Sequence, residues 1–562
     1  MKRPLPQSKN INHRRKHLAI RVALATVLAA SLGAGVLKGV AAEGKVYPTR
    51  PGGMATHPYI FETGISTQKL KLHWYGLSGP YKIERKLNLN SPAWEQIGST
   101  ERERVLTLDA VGESGFFRVT APTPNFAGAE TCLECHGEKH AAWAQTAHAG
   151  ALEALKAINQ DKNTACLACH TVGFGLPSGY EDATKTSHLK GVQCESCHGP
   201  AAEHASNPDN LSARPIVELS ARTCGGCHTD VHHPTFDEWA TSGHGSLEIP
   251  EEEFASPTSG PGRMPTCGAC HSAATRLALL REVKRHPDPT QFAPVFPTTE
   301  EAASSPIACI ACHDAHEKTA NPGQLRFPLA SKVPYSYLTS TNFAKNYNPQ
   351  VQTCAQCHNM RGATWTGTSR PPHHSPQYNM LIGNGGFDAG ATSIPQSAHM
   401  DIENQCAHCH THGHAPDEIT EQTPAYTGHD FRPTLKGCLP CHDEVGGGLL
   451  QEVVQAHTKK EIGKIKGLLD QWALTKAPEA LRQKYGVAAW EFTNIGQLTT
   501  RPPGVTTGPA SGEQATIPDN IKQARFNLYL VEHDASYGVH NGNYARFLLK
   551  VAEDKVKAEL AQ

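Results

Sequence analysis

The chain has 562 residues, with 18 Cys, 32 His, 49 Gly and 40 Pro, while apolar residues make up 38% and aromatics 7%. That apolar share is thin for a core of this size, and so much Gly and Pro predicts extensive loop and turn. The first 42 residues hold 8 Lys/Arg and no acid, leaving 44 basic against 53 acidic residues in the remainder; this excludes nucleic acid as a partner, because phosphate binding needs a basic footprint.

In chain order, residues 1–42 read as a secretory signal peptide. Arg14, Arg15, Lys16 and Arg21 precede an apolar run from Val22 to Leu37, and Val40-Ala41-Ala42 offers small residues for cleavage before Glu43. The run is short and rich in small residues for a membrane span. Arg14-Arg15 is set in a poor context for a twin-arginine signal, so a Sec-type export is expected, with a periplasmic, extracellular or cell-surface destination.

Residues 43–128 contain no Cys. Runs rich in β-formers, Leu70–Tyr75, Tyr81–Arg85, Val105–Leu108 and Gly115–Ala121, alternate with Gly76, Gly79-Pro80, Asn88 to Pro92 and Gly112. The order resembles a fibronectin type III or immunoglobulin-like sandwich, which implies a small all-β domain that binds a protein or surface, or that caps the rest. Pro122 to Gly128 is then a linker.

All 18 Cys fall in nine Cys-x-x-Cys-His motifs. The pairs are Cys132/Cys135, Cys166/Cys169, Cys194/Cys197, Cys224/Cys227, Cys267/Cys270, Cys309/Cys312, Cys354/Cys357, Cys406/Cys409 and Cys438/Cys441. Each closes on a His: His136, His170, His198, His228, His271, His313, His358, His410 and His442. This is the signature of covalent c-type haem attachment. Two thiols about one turn apart reach the two vinyl groups of a haem, and the following His lies under the iron as proximal ligand. Zinc ribbons use pairs of pairs, and nine is odd; redox Cys-x-x-Cys motifs come singly; a disulfide framework places no His after every second Cys. Nine haem c groups are therefore expected, in a cytochrome domain spanning 129–445.

A low-spin haem needs a sixth ligand, usually a second His. Position nominates eight: His204 in "CESCHGPAAEH", His316 in "CIACHDAH", His429 and His399 ahead of the last two motifs, His374 in "PPHHSPQYNML", His414 (or His412) in "CHTHGH", and His148 and His244. The last two come from an internal echo, "CLECHGEKHAAWAQTAHAGAL" against "CGGCHTDVHHPTFDEWATSGHGSL", which also matches Trp143 with Trp239. A ninth comes from His188, His232 or His233, or is missing; the fourth motif, at Cys224, is the candidate for an open iron.

Residues 446–562 read as helical. Leu450, Val453, Val454, Ile462, Ile465, Leu468, Leu469 and Trp472 make a one-sided stripe, and further helices are expected near Pro518–Asp534 and from Asn543 onward, with His540 and Asn541 structural. The strings quoted above, together with "GHDF…CLPCH" and the tail "NLYLVEHDASYGVHNGNYARFLLKVAE", make residues 129–562 resemble the octahaem hydroxylamine-oxidoreductase superfamily and its tetrahaem electron-carrier relatives. The resemblance implies a mainly α fold with extensive loop, a haem-packed core, long C-terminal helices and mostly bis-His haems forming an electron wire. It implies redox partner proteins, such as other cytochromes or quinol-linked donors, and a homo-oligomer through the C-terminal helices. Pentahaem nitrite reductases of this group replace one motif His by Lys; here all nine are His, which favours electron transfer. The alternative is an oxidoreductase acting on a small nitrogen or sulfur oxyanion at one open haem. Tyr529, Tyr537 and Tyr544 lie in the tail, but no spacing assigns them a catalytic role.

Overall fold

The computed structural model describes residues 59–66, 69–76, 78–88, 90–109, 116–255, 261–286, 291, 293–326, 352–439 and 441–562. The expected signal peptide and its cleavage site lie outside them. The described chain is mostly helical, with a small antiparallel region at its N-terminal end. No described helix is long and apolar enough to cross a membrane.

Six strands come first: β1 Tyr59–Ser66, β2 Lys69–Tyr75, β3 Tyr81–Lys86, β4 Glu95–Thr100, β5 Val105–Asp109 and β6 Phe116–Thr120. They form two antiparallel sheets, β1-β2-β5 and β4-β3-β6. Strand side chains alternate faces, so Leu72 and Trp74 on β2 point the same way, as do Tyr81 and Ile83 on β3. With Val119 of β6 these four form one buried cluster shared by both sheets. Arg104 ties this region to the chain beyond the third motif: its guanidinium donates to Glu218 at 2.5 Å and to the Tyr81 hydroxyl at 3.1 Å. Arg102 adds bonds to the carbonyls of Leu211 and Pro215.

The first long helix, α1 (Ala129–Trp143), carries the first motif. A helix start leaves backbone N–H groups without intrahelical partners, and here residues of the third motif supply them. The buried Glu195 carboxylate accepts from the N–H groups of Ala127, Gly128 and Ala201 at 2.7–3.0 Å, and Gln193 accepts from Ala129 at 2.7 Å. Beyond α1 the described chain runs in short helices and loops, with α2 (Ala273–Arg285) the longest described helix between α1 and the last motif. Ser272 caps α2 by accepting from the N–H of Thr275.

After the ninth motif come α3 (Glu444–Thr475), α4 (Glu479–Tyr485), α5 (Asp519–His533) and α6 (Gly542–Ala561). Asp443 caps α3, and Asn541 caps α6. Ile462, Ile465, Leu469, Trp472 and Ala473 recur at helical spacing on α3 and bury against α5 and against Leu548, Leu549, Ala552 and Val556 of α6. The expected stripe buries only its C-terminal half. Leu449, Leu450 and Val453 are exposed, while the short turn Leu435–Cys438 lies against Gly447 and Gly448 of the same turns. The apolar clusters between Phe126 and Cys406 are far smaller than this C-terminal one.

Candidate haem centres

Local folding of the motifs follows from their length. In the motifs at Cys224, Cys309, Cys354 and Cys438, the N–H of the closing His donates to the carbonyl of the first Cys at 2.9 Å in every case. The second Cys of the same turn donates to that carbonyl too, Cys227 at 3.1 Å and Cys441 at 3.2 Å. These bonds wind Cys-x-x-Cys-His into a single helical turn, which brings both sulfurs and the imidazole to one side. The motifs at Cys194 and Cys406 likewise form five-residue helices. The second motif, with Cys166 and Cys169, rides on the helix Thr164–His170, which Asn163 caps by accepting from the N–H of Ala165.

None of the 18 motif Cys is joined in a disulfide. The sequence assigns a haem thioether to each of them, but side chains alone do not enclose them as a packed interior would. Cys135, Cys197 and Cys441 are exposed, and the other fifteen, Cys166, Cys169 and Cys227 among them, are only half-buried. The reason is the thin apolar supply around the motifs. Cys135 lies on α1 just before a break in the helix at His136, whose φ is −115° and ψ 39°. Cys441 follows the short turn Leu435–Cys438, ahead of the exposed start of α3.

Seven closing histidines have a second His ring opposite them, with centres 6.0–6.3 Å apart. These are His228 with His148, His198 with His316, His358 with His244, His271 with His373, His313 with His429, His442 with His399, and His410 with His540. With metal–nitrogen bonds of about 2 Å and ring centres roughly 1 Å behind the ligating nitrogen, two imidazoles on one metal ion stand about 6 Å apart. Among the described residues no cluster of three or more His, Cys, Asp or Glu forms an all-protein metal site. Paired axial imidazoles with two thiols beside one of them fit a haem, whose ring supplies the other four donors. Burial lowers the basicity of three of these rings, His228 and His244 to about 4 and His373 to about 3, with neighbouring positive charge adding to the effect. At neutral pH they hold the uncharged form that binds metal.

Five of the eight nominated histidines thus stand opposite a motif His: His148, His244, His316, His399 and His429. The other three do not. His374 stacks on His533 at 3.8 Å, while the adjacent His373 takes the place opposite His271. His414 pairs its backbone with Tyr426 across an isolated bridge. His204, on the short helix Ala202–Ser206, has a buried Nδ1 without a hydrogen bond. The fourth motif does not lack a facing ring, since His148 occupies that side of His228. His540, read from sequence as structural, faces His410. For the second motif, His233 feels the charge of His170. No described His ring lies opposite His136.

Most of these rings are held through Nδ1, which keeps them oriented. Those of His198, His313, His399 and His410 donate to the carbonyls of Ile216, Gly323, Val539 and Phe431 at 2.5–2.8 Å.

The sulfurs place the motifs relative to one another. The thiols of Cys132 and Cys194 are hydrogen-bonded neighbours, as are Cys224 with Cys309, Cys270 with Cys357, and Cys354 with Cys406. Cys197 lies close enough to Cys224, Cys312 to Cys354, and Cys409 to Cys438 for each to feel the other's charge. Cys227 acts on Cys224 within its own motif, and Cys441 joins Cys438 in acting on Cys409. The motifs therefore run in the spatial order first, third, fourth, sixth, seventh, eighth, ninth, with the fifth beside the seventh.

The sequence echo has a geometric counterpart. The indole N–H of Trp143 donates to the carbonyl of Val192, and that of Trp239 to Ile307, both at 2.9 Å. Each acceptor lies two residues before a motif, the third and the sixth. Motifs one to three and four to six thus repeat one arrangement: first and third sulfurs touch, a Trp clamps the third motif, and the His after that Trp faces the motif three places on.

A family model described as cytochrome c554 and c-prime matches residues 131–199 and 353–443, which hold the first three and last three motifs. Cytochrome c-554 of Nitrosomonas europaea is 38% identical over 92 residues, covering 13% of this chain and 38% of that protein. The C-type polyheme cytochrome OmcC of Geobacter sulfurreducens is 26% identical over 341 residues, covering 52% of this chain and 42% of its own. The chain thus spans about two fifths of the length of these curated relatives. Among solved structures, Outer Cell Wall Cytochrome OcwA aligns over 77% of this chain and 99% of its own, at 18% identity and a TM-score of 0.47. The chain thus combines motifs that fold into attachment turns beside facing imidazoles with a likeness to multihaem c-type cytochromes.

Proposed function

We propose that the protein is an exported electron carrier with nine covalently attached haems, working in the periplasm or at the cell surface and exchanging electrons with other redox proteins. Bound haem supplies a one-electron iron couple whose potential depends on axial ligands, hydrogen bonding and burial. The observation that carries this reading is the set of seven facing imidazole pairs at 6.0–6.3 Å. At these seven motifs the facing imidazole would hold the iron position that a substrate would need, which favours electron passage over chemistry. The Nδ1 bonds to fixed carbonyls would hold the rings of His198, His313, His399 and His410 in one orientation. Sulfur contacts between successive motifs keep the attachment points adjacent from the β-region to the C-terminal bundle. We assign a thioether to all 18 sulfurs, Cys135, Cys166, Cys169, Cys227 and Cys441 included, because a covalent bond retains a haem where little protein surrounds it. His233 is the partner we assign to His170, and His204 the one we assign to His136, since the first and third motifs touch through Cys132 and Cys194.

The two sheets around one apolar cluster support the fibronectin-like reading of 43–128, as a docking module fixed beside the third motif. The exposed Leu449, Leu450 and Val453 on α3 support self-association through the C-terminal helices.

A second reading has one supporting observation: no described His ring faces His136. On that reading the first motif holds an open iron acting on a small nitrogen or sulfur oxyanion. Coulometric titration of the holoprotein separates the two. Electron carriage predicts uptake of nine electrons per chain, one per motif, complete re-oxidation by a second c-type cytochrome, and no turnover of nitrite or hydroxylamine. Catalytic turnover that is lost when the first motif alone is disabled would establish the second reading.

A further inference from the structure

Of the described ring nitrogens opposite or within the motifs, one donates to a carboxylate rather than to a carbonyl, amide or hydroxyl oxygen. His540 Nδ1 lies 2.6 Å from Asp534 Oδ1. Asp534 is 2% exposed, and its second oxygen accepts from the Ser536 hydroxyl. The turn between α5 and α6 builds this contact. Ala535 and Tyr537 take left-handed backbone angles, and Gly538 has a φ of 98°. A side chain at Gly538 would meet Thr458 and Val454 of α3 at 2.9 Å, so the turn presses on that helix and folds Asp534 back towards His540. The same turn offers the Val539 carbonyl to His399 at 2.7 Å. One loop thus orients the distal rings of two neighbouring motifs, through a neutral oxygen for the ninth and a buried anion for the eighth.

We infer that Asp534 is a positioning residue that gives His540 partial imidazolate character and so makes the eighth-motif haem more reducing than its ninth-motif neighbour. A carboxylate partner draws the Nδ1 proton and raises the donor strength of the ligating nitrogen. The buried negative charge also favours the ferric over the ferrous state, because charges interact more strongly away from water. Ser536 disperses part of that charge through its hydroxyl. The inference rests on the proposed sharing of one iron by His410 and His540.

The test uses the intact holoprotein, a potentiometric titration and low-temperature EPR. Asp534→Asn is expected to shift one haem's ferric-to-ferrous balance about tenfold towards the reduced state, or about 59 mV for one electron, and to move one low-spin signal to a larger g maximum. Ser536→Ala, which leaves more of the charge on His540, is expected to shift the same haem the opposite way. His540→Ala tests the ligand pair itself and should turn one haem high-spin. If His540→Ala leaves every haem low-spin, the pair is wrong and the role of Asp534 falls with it. If His540→Ala gives one high-spin haem while neither other variant moves a potential or a signal, or both move it the same way, the role of Asp534 alone is overturned.

Discussion

Alanine in place of Cys267, Cys270, Cys309, Cys312, Cys354 and Cys357 is expected to unfold the middle of the chain while sparing the C-terminal helices. These residues anchor the fifth to seventh motifs, whose sulfurs neighbour one another. Between Phe254 and Ala303 the buried apolar cluster holds four residues, and around the seventh motif it holds three. Ordering a residue's backbone costs about 1–2 kcal/mol, and clusters this small cannot offset that over so long a stretch. The bound cofactors must therefore supply the missing interior surface, and losing three of them is expected to remove more than about 5 kcal/mol, the whole stability of an ordinary domain. The α3–α5–α6 bundle has its own core, including Ile465, Leu469, Leu528, Leu530 and Leu548, and should keep its helical signal. Limited proteolysis read by mass spectrometry checks this: cuts concentrated between residues 261 and 440 are expected. A variant lacking these haems but protected throughout would contradict it.

The second large effect is on the bundle itself. Arg525 on α5 is fully buried. Its guanidinium donates to the carbonyls of Trp490 and Glu491 at 2.7 Å and to Gln514 Oε1 at 2.8 Å, and lies 4.1 Å above the Phe492 ring. Beside it the buried Glu491 carboxylate accepts from the Tyr529 hydroxyl at 2.5 Å. Burial draws Arg525 down to about 10, which still leaves it charged at neutral pH. Arg525→Ala removes this donor from the Trp490 carbonyl and Gln514 Oε1, leaves the Glu491 carbonyl with Gln514 Nε2 alone, and deprives the Glu491 carboxylate of the nearby positive charge. Breaking such a buried set costs about 3–5 kcal/mol, enough to lower the bundle's thermal midpoint by about 10 °C or more. Arg546 on the exposed face of α6 is the control, with an expected change within about 0.5 kcal/mol. Equal midpoints for the two variants would show that the Arg525 network is not needed for the bundle.

What was legible in the sequence was local. The attachment motif is five residues long and its chemistry is fixed by spacing, so all 18 Cys and nine closing His could be named. How far each sulfur is enclosed was not legible, since the exposure of Cys135 and Cys441 depends on which elements pack nearby. Rings that face a motif His were legible where they sit near a motif, as His316, His399 and His429 do, or where a repeat marks them, as for His148 and His244. Long-range pairings were not. His540 reaches His410 only because the α5–α6 turn folds back across the eighth motif, and no local pattern marks that approach. His373 and His374 are adjacent, and the choice between them depends on which way the loop faces: Ser375 accepts or donates at His373 Nδ1, while His374 is drawn onto His533. The α3 stripe is continuous in sequence, but only its later turns enter the apolar core, which periodicity alone does not reveal.

We propose that facing imidazole pairs make most of these haems six-coordinate. EPR with near-infrared magnetic circular dichroism of the oxidised protein counts them directly. At least seven low-spin bis-His haems are expected, with one of them becoming high-spin in His148→Ala. Fewer than seven, or a His148→Ala spectrum identical to that of the parent, would contradict it.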